Sequence, residues 1–530
     1  MSASARPPEG RAPSPGEDVA KRQEGSHSSA SARPPEGRGK SSLRDDAGPA
    51  FLPAVELARH IAEHRIGCRE ALELYIARCE QFNPSLNAII ATDLEGARRR
   101  ADDADRALAR GERWGPLHGV PMTVKESFDV LGYVTSWGAV EYKDYRPART
   151  ALCVERLLAA GAVLFGKTNV PRFLGDLQTH NALYGVTRNP WDLTRTPGGS
   201  SGGAVAALAA GLTALEVGSD IAASIRLPAH YCGLYGHKPT YGVVSPRGQL
   251  VPGRVALTDL AVVGPLARSA ADLRCALQLM AGPDDIDALA WKVQLPPPRK
   301  ARLADYRVAV MLETSHAPVD GAVRRAIAEL AEAIRAAGAY VSFEARPDFD
   351  TEEADRLYHR LLGAALSGRQ SEQAYRENLE AVARQAPGDT GYRAQMQQAA
   401  ALPHREWLIA NERRHVLRMK WAEFFGDYDL LICPAAATAA PPLAADDSGD
   451  PFLRPLDIDG RSHPLAAQLF WAGYSSLAFL PSTVVPAGMT PDGLPVGAQI
   501  IGRQYGDLEC LHFAGLLEQA YRGFVPPPGY

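Results

Sequence analysis

The sequence predicts an α/β fold in which a sheet is covered by helices. From Ala151 onward an amphipathic helix (ALCVERLLAAG), an apolar strand (AVLF), a small-residue helix (GGAVAALAAGL) and a further strand (TALEV) follow one another, before a Gly-Ser-Asp turn. A second strand–helix–strand pattern runs from Val308 to Phe343. Such alternation is typical of a sheet with helices packed on it. Since no break in composition follows residue 50, we expect one large folded unit over residues 49–530.

The first predicted helix follows Pro53, where the chain is expected to become ordered. Its apolar residues fall at i, i+3, i+4, i+7, i+8 and i+11. They are Cys68, Ala71, Leu72, Tyr75, Ile76 and Cys79. This spacing places them on one face of a helix, so we predict that they point into the core.

The C-terminal half contains further elements of both kinds. Val308–Leu312 and Tyr340–Phe343 are predicted strands on either side of a helix that ends at Gly338. Residues from about 350 to 425 are predicted to be mostly helical, because their charged and apolar residues have amphipathic spacing. After them, the apolar runs YDLLICP and LPSTVVPAG are typical of buried strands, and Asp492-Gly493 predicts a hairpin turn.

Residues 1–48 form a tail that is rich in Ser, Ala, Pro, Gly, Arg and Glu and has almost no large apolar side chains. The segment SASARPPEGR occurs at Ser2–Arg11 and again at Ser29–Arg38, and neither copy has a hydrophobic face. Such a segment cannot offset the entropy that is lost when a chain becomes ordered. We therefore predict that the tail is disordered.

The composition argues against several classes of function. Lys and Arg number 57 against 61 Asp and Glu, so the net charge of −4 provides no basic surface for nucleic acid and no polybasic anchor for a membrane. No apolar run reaches the roughly 18 residues that a membrane span requires. The seven cysteines are scattered and never spaced as CxxC, which predicts neither a disulfide framework nor a zinc site. Without a secretory signal at the start, the expected location is the cytoplasm.

The stretch Gly161–Thr168 (GAVLFGKT) matches the GxxxxGK[ST] pattern of nucleotide-binding phosphate loops. Such a loop needs a flexible turn of backbone N–H groups between its glycines. Here the residues between Gly161 and Gly166 are Ala-Val-Leu-Phe, an apolar run suited to a buried strand, and Gly161 is suited to cap the helix before it. Nucleotide binding through Lys167 is therefore disfavoured.

A second motif, Gly199–Gly203 (GSSGG), matches GxSxG, which in α/β-hydrolases places a nucleophilic serine, here Ser201, on a turn between a strand and a helix. That turn needs a buried strand before it, whereas the preceding residues NPWDLTRTPG are typical of a loop. The sequence downstream also lacks a recognisable setting for the acid and the histidine. An esterase that uses Ser201 is the alternative to the assignment that follows.

A third pattern extends over more than a hundred residues and includes the second. Its blocks are PLHGVPMTVKES around Lys125, PGGSSGG around Ser200 and GSDIAASIR around Ser224. They closely resemble the three signature blocks of the amidase signature family. GKTN, GVTRNP, GHKP, GPLARS and PDGLPVGAQIIGR are also similar to that family. The similarity therefore runs from about residue 50 to the C-terminus, with a signature core at about 110–270.

This resemblance implies a fold, an activity and a set of site residues. The fold is a single three-layer α/β/α unit with a mixed central sheet. The activity is hydrolysis of amide C–N bonds by a triad in which Ser224 is the nucleophile, Ser200 is the bridging serine after a cis peptide bond, and Lys125 is the terminal base. The oxyanion hole would consist of backbone N–H groups, those of Ile221, Ala222, Ala223 and Ser224.

The residue types suit this chemistry. A serine hydroxyl is a weak nucleophile that must lose its proton as it attacks. Lysine can accept that proton only if its pKa is lowered, for example by burial, and Lys125 follows the apolar segment VPMTV. Ser201, Asp220 and Arg226 are expected to support the site rather than to react.

One position departs from the family pattern. The family usually has one or two glycines just before the nucleophile, whereas this chain has Ala222-Ala223. A methyl group is accommodated where φ is negative and adds strain where φ is positive. The geometry of the oxyanion hole therefore depends on these two φ angles.

Two functions are compatible with the resemblance. One is a stand-alone amidase that acts on a small-molecule amide through an acyl-Ser224 intermediate. The other is the glutaminase subunit of a tRNA-dependent amidotransferase, which needs partner subunits. The segment AHYCGLYGHKP at 229–239 and the helical segment 350–425 favour the stand-alone amidase. We expect no cofactor, no metal and no nucleic-acid or membrane partner, and the sequence leaves a homodimer open.

Overall fold

Strands and helices alternate along the chain in the computed structural model, which describes residues 48–444 and 449–530. The strands in this part are β1 Ile89–Thr92, β2 Pro121–Lys125, β3 Val163–Thr168, β4 His180–Asn181, β5 Gly185–Val186, β6 Glu216–Asp220, β7 Tyr235–Lys238, β8 Val262–Ala267, β9 Arg307–Val310, β10 Tyr340–Ser342, β11 Leu430–Pro434, β12 Pro455–Ile458, β13 Arg461–Pro464, β14 Ser482–Met489 and β15 Pro495–Gly502. The α-helices are α1 Ala54–Ala62, α2 Cys68–Leu86, α3 Leu94–Ala109, α4 Leu152–Ala159, α5 Gly202–Ala209, α6 Arg226–Cys232, α7 Ala270–Met280, α8 Gly321–Ala336, α9 Thr351–Ser367, α10 Glu372–Arg384, α11 Tyr392–Ala400, α12 His404–Asp427, α13 Leu469–Ser476 and α14 Asp507–Ala520. The tail that the sequence predicts to be disordered lies outside the described residues, except for Gly48.

Eight strands form one mixed sheet in the order β10-β9-β11-β15-β14-β7-β8-β6. β9 is parallel to both of its neighbours, β10 and β11. The remaining neighbours are antiparallel. Every residue of β11 and β15 is buried, as expected for strands with both faces covered. The predicted α/β fold with a mixed central sheet covered by helices is confirmed.

A smaller sheet, β1-β3-β2, lies beside the residues that lead into β6. β2 is parallel to β3, and β1 is antiparallel to it. The Thr123 N–H donates to Leu215 O over 3.4 Å, and the Ala214 N–H donates to Pro121 O over 3.4 Å. These bonds hold β2 next to the start of β6. Lys125, the last residue of β2, is consequently brought close to β6.

The predicted helical segment is confirmed as the four helices α9 to α12. α9 begins after Asp350, whose carboxylate accepts the N–H groups of Glu352 and Glu353. Such a cap satisfies backbone donors that have no partner within the helix. The buried face of α9, including Tyr358, packs in the same apolar cluster as Ala222. The helical segment therefore covers the loop that follows β6.

Most other predicted elements are confirmed as well. β9, α8 and β10 form the expected strand–helix–strand unit, and β14 and β15 form a hairpin in which Gly493 has a φ of 78°. The apolar stripe of α2 is buried, apart from Cys79, which is half-buried. The predicted strand TALEV with a Gly-Ser-Asp turn is wrong. Strand β6 instead covers Glu216–Asp220, because Gly218–Asp220 pair with Val262–Gly264 of β8.

The stretch that matches a phosphate loop is a buried strand. β3 includes every residue from Val163 to Thr168, and Gly161 has a φ of 102° two residues after the end of α4. Lys167 Nζ donates to Val134 O over 2.7 Å and to Thr135 Oγ1 over 2.9 Å. The backbone between the glycines is therefore engaged in a sheet, and the interpretation of this stretch as a strand is confirmed.

In the part of the chain that the structure describes, no helix combines the length and the apolar character that crossing a membrane would require.

Candidate active site

Three separate segments bring the predicted triad residues to one place. Lys125 ends β2, Ser200 lies just before α5, and Ser224 lies in the loop between β6 and α6. Lys125 Nζ lies 2.7 Å from Ser200 Oγ. Ser200 and Ser224 both line a cavity of about 230 Å³. The structure thus places all three residues at one site.

The Ser224 hydroxyl faces the cavity, where the residue is 6% exposed. It makes no hydrogen bond to another residue of the described ranges. Hydrogen bonds of catalytic groups are often long or absent before a substrate is bound. The hydroxyl is therefore free to turn towards Ser200 or towards a ligand.

Lys125 is completely buried. Burial lowers the pKa of this lysine to about 7, and the Arg369 guanidinium lowers it further, while the carboxylates of Asp220 and Glu216 oppose the shift. Lys125 Nζ also lies 3.1 Å from Ser219 Oγ, a residue that sequence reasoning assigned only to a turn. A substantial fraction of Lys125 is therefore uncharged at neutral pH.

Glu216 lies in the same interior and shows why Lys125 can lose its charge. Thr123 Oγ1 donates to the Glu216 carboxyl group over 2.6 Å. Burial raises the pKa of Glu216 to about 8, although hydrogen bonds from Thr123 and Thr168 oppose the rise. Glu216 is consequently protonated at neutral pH, where it contributes little attraction for a charged lysine.

Asp220 and Arg226 form a fully buried ion pair that holds the loop after β6. Arg226 Nη2 donates to Asp220 Oδ1 over 2.9 Å. Burial alone would raise the pKa of Asp220, but the Arg226 guanidinium and its hydrogen bonds lower it to about 2. Arg226 Nη1 also donates to Gln499 Oε1 over 2.7 Å and to Ala472 O over 2.8 Å. The pair anchors the loop to α13 and β15, in agreement with the supporting role predicted for it.

The backbone before Ser224 differs from the expected oxyanion hole in one respect. The Ala223 N–H donates to Asp220 Oδ1 over 3.0 Å, so this predicted donor is already engaged, because the loop wraps around the buried carboxylate. The N–H groups of Ile221, Ala222 and Ser224 make no hydrogen bond to another described residue. These three N–H groups are therefore the ones that a ligand oxygen could use.

A tight glycine turn positions Ser200. The Gly199–Ser200 peptide bond is cis, as the resemblance implied, and Gly198 has a φ of 93°. A Cβ atom on Gly199 would lie 2.4 Å from Asp176 O, a distance that only a glycine avoids. The backbone at Ser200 therefore packs directly against the neighbouring loop.

Ser201 does not face the cavity. It is completely buried, and its hydroxyl has no hydrogen-bond partner among the described residues, so the predicted supporting hydrogen bond is not made. A Cβ atom built on Gly218 would lie 2.9 Å from Ser201 Oγ, which places this hydroxyl against β6. The residues before Gly199 form no strand, as the sequence indicated. The arrangement required for a hydrolase nucleophile at Ser201 is absent from this described segment.

Comparisons with known proteins agree with this geometry. The Amidase family model matches residues 70–511. The chain belongs to the amidase family. It is 34% identical over 473 residues to an acylamidase of Rhodococcus erythropolis, a match that covers 88% of this chain and 95% of that protein. It is 33% identical over 497 residues to a glutamyl-tRNA(Gln) amidotransferase subunit of Moorella thermoacetica, covering 89% and 96%.

A solved structure extends the comparison to the fold. This is a bacterial aryl acylamidase of the amidase signature enzymes, which matches with a TM-score of 0.74 and 25% identity over 91% of this chain and 99% of that chain. The resemblance inferred from the three sequence blocks is confirmed. Membership of the amidase family supports amide-bond hydrolysis as the activity, while relatives within the family differ in substrate.

The cavity of this amidase-family chain is built mostly from apolar side chains of distant segments. They are Phe173, Leu174, Leu177, Leu362, Leu366, Met396 and Phe452. Two polar residues in the wall, Gln249 and Arg369, were missed by sequence reasoning. Neither lies in a recognisable motif, and each reaches the cavity only through tertiary packing.

Ala223 has a φ of 80°, the strained case that the sequence left open. We expect Ala223→Gly to relieve about 1–2 kcal/mol of backbone strain. The greater freedom of glycine in the unfolded state offsets about 0.5–1 kcal/mol of this gain. The unfolding free energy should therefore stay equal or rise by about 1 kcal/mol in chemical denaturation.

Ala222→Gly is the matched control, because the φ angle of Ala222 is not positive. Here only the entropic effect of glycine applies, so we expect a loss of about 0.5–1 kcal/mol. Equal destabilisation by the two substitutions would show that Ala223 is not strained.

Proposed function

We propose that this chain is a stand-alone amidase that converts a small carboxamide into a carboxylate and ammonia or an amine through an acyl-Ser224 intermediate. The observation that carries this proposal is the 2.7 Å contact between a buried lysine and Ser200 at the wall of a cavity that Ser224 also lines. A lysine with a pKa near 7 can act as a base at neutral pH.

In the proposed acylation step, the Ser224 oxygen attacks the amide carbonyl carbon. Its proton passes to Ser200, and the Ser200 proton passes to the neutral amine of Lys125. When the tetrahedral intermediate collapses, the C–N bond breaks and the leaving nitrogen receives a proton from Lys125 through Ser200. The products of this step are the free amine and an ester on Ser224.

Deacylation repeats the same proton path with water. A water molecule attacks the ester carbonyl and gives its proton through Ser200 to Lys125. The C–O bond to Ser224 then breaks, and Ser224 regains a proton as the carboxylate product leaves. Lys125 ends the cycle uncharged, so no net proton is stored in the site.

The developing negative charge on the carbonyl oxygen needs donors in both steps. We assign this role to the N–H groups of Ile221 and Ala222, with Ser224 N–H as a third donor, because they have no partner among the described residues. Backbone N–H donors that are already in place contribute roughly 3–4 kcal/mol each to such a transition state. The anchored Asp220–Arg226 pair keeps the loop in this conformation.

The cavity favours a simple amide over glutamine, the substrate of a glutaminase subunit. Glutamine carries an ammonium group, which needs a carboxylate without a partner. Of the acidic residues in the wall, Asp220 is paired with Arg226 and Asp176 with Arg454, and Asp450 Oδ2 lies 4.0 Å from Arg393 Nε. Each carboxylate thus already faces an arginine.

Assay of the purified chain alone tests this proposal. A panel of short aliphatic and aryl amides should be hydrolysed without added partner proteins, with ammonia or amine released in equal amount to acid. Glutamine should release ammonia at least an order of magnitude more slowly. Activity that appears only with glutamine and added amidotransferase subunits would assign the chain to the glutaminase class instead.

The pKa of Lys125 predicts the pH dependence of this reaction. Below about pH 7 the lysine is protonated and cannot accept a proton, so kcat/KM should rise about tenfold per pH unit and level off above pH 7. Thermal unfolding across the same range serves as the control for loss of structure. A limb near pH 10, the ordinary range of lysine, would contradict the assignment of a buried base.

A further inference from the structure

Arg369 brings a positive charge into the wall of the cavity from the helical segment. It follows α9, with its N–H donating to Leu366 O over 3.0 Å. Its guanidinium carbon lies 5.6 Å from the centre of the Trp137 ring, and its Nη2 lies 3.5 Å from Thr258 Oγ1. These contacts leave most of its five N–H donors without a partner in the described part of the chain.

No carboxylate of the described residues lies within ion-pair distance of Arg369. Asp176 is paired with Arg454, and Asp450 accepts the Phe452 N–H over 3.1 Å. Burial accordingly lowers the pKa of Arg369, and no neighbouring carboxylate offsets this effect. Removing a charge from water is costly unless the charge is paired. A ligand that supplies a carboxylate would provide the missing partner.

We propose that Arg369 binds a carboxylate of the substrate, and that the preferred substrates are small amides that carry such a carboxylate. This inference rests on the proposed function, because Arg369 lines the same cavity as Ser200 and Ser224. The planar fork of N–H donors in arginine matches the two oxygens of a carboxylate. Arg369 would then select the substrate, while the chemistry remains with the triad.

The cavity also limits the size of the substrate. A volume of about 230 Å³ is what roughly eight molecules of liquid water occupy. Leu362, Leu366 and Met396, which also line it, offer only apolar contacts. A short hydrocarbon linker between the amide and the carboxylate fits this arrangement. Monoamides of short dicarboxylic acids and N-acyl derivatives of short amino acids share this chemistry.

Matched pairs of substrates test the proposal. One arm compares glutaramic and adipamic acid with the neutral diamides glutaramide and adipamide, and the other compares N-acetyl-4-aminobutyrate with N-butylacetamide. In at least one arm, wild type should have a kcat/KM at least tenfold higher for the anionic member. The arm with this preference identifies which side of the amide carries the carboxylate. Assays at pH 9 keep Lys125 uncharged in every variant.

Arg369→Gln should lower the ratio of anionic to neutral kcat/KM by on the order of 10- to 100-fold, mainly through KM for the anion. Arg369→Lys should retain part of the preference, since it keeps the charge without the fork. Arg356→Gln is the matched control, because Arg356 lies on α9 and pairs with Glu352 at the surface. It should leave the ratio unchanged. An Arg369→Gln ratio equal to that of wild type would overturn the inference.

A binding measurement separates this inference from the proposed function. Calorimetric titration with glutarate, adipate and N-acetyl-4-aminobutyrate requires no turnover. At least one of them should bind at least tenfold more weakly to Arg369→Gln than to wild type and Arg356→Gln. Hydrolysis without this difference would refute the carboxylate site alone. The binding difference without hydrolysis of any amide would refute the proposed function alone.

Discussion

Changing Lys125 to alanine is expected to lower kcat by on the order of 10⁴-fold or more while the protein stays folded. Lys125 Nζ is the base that lies 2.7 Å from Ser200 Oγ, so its loss removes the final proton acceptor. The substitution leaves no unpaired charge in the interior, because burial already favours the uncharged amine. We expect a change in unfolding free energy below about 2 kcal/mol, measured by denaturation beside the steady-state kinetics.

Lys167→Ala is the matched control for this experiment. Lys167 is also completely buried and lies on β3, where it pairs in register with Val124 beside Lys125. Its loss leaves Val134 O and the buried Glu126 carboxylate without their donor and countercharge. We expect a loss of about 3–5 kcal/mol in stability and a small effect on kcat. The reverse pattern, with Lys167 critical for turnover and Lys125 for stability, would refute the assignment of the base.

Covalent labelling is expected to place an acyl or phosphonyl adduct on Ser224. A fluorophosphonate reagent or a slowly deacylating substrate traps the nucleophile, and peptide mapping by mass spectrometry locates the added mass. Ser224→Ala should abolish labelling and lower kcat by on the order of 10⁶-fold. Ser200→Ala should slow labelling by about 10²- to 10⁴-fold, because it interrupts the proton path to Lys125.

Ser201→Ala separates this mechanism from the hydrolase alternative. The Ser201 hydroxyl is buried without a hydrogen-bond partner in the described part and does not line the cavity, so its removal should change kcat less than tenfold. An adduct on Ser201, or full activity in Ser224→Ala, would refute the mechanism proposed here.

The local patterns of the sequence were sufficient for the architecture of the core. Apolar runs predicted β9, β11 and β14, and Asp492-Gly493 predicted their hairpin partner β15, because side-chain periodicity and turn chemistry act over a few residues. The extent of β6 was mispredicted, since Gly218, Ser219 and Asp220 are poor strand formers by themselves. They are held in the sheet by pairing with β8, which is far away along the chain.

The three signature blocks by themselves determined which residues compose the triad, because each block carries its own residue in a recognisable local setting. Only the tertiary structure decided the state of those residues. The pKa of Lys125, the engagement of Ala223 N–H by Asp220 and the positive φ of Ala223 depend on burial and on packing around a buried ion pair. Gln249 and Arg369 reach the cavity from segments that no motif marks. Pocket walls are assembled from distant segments, whose contacts local sequence patterns do not encode.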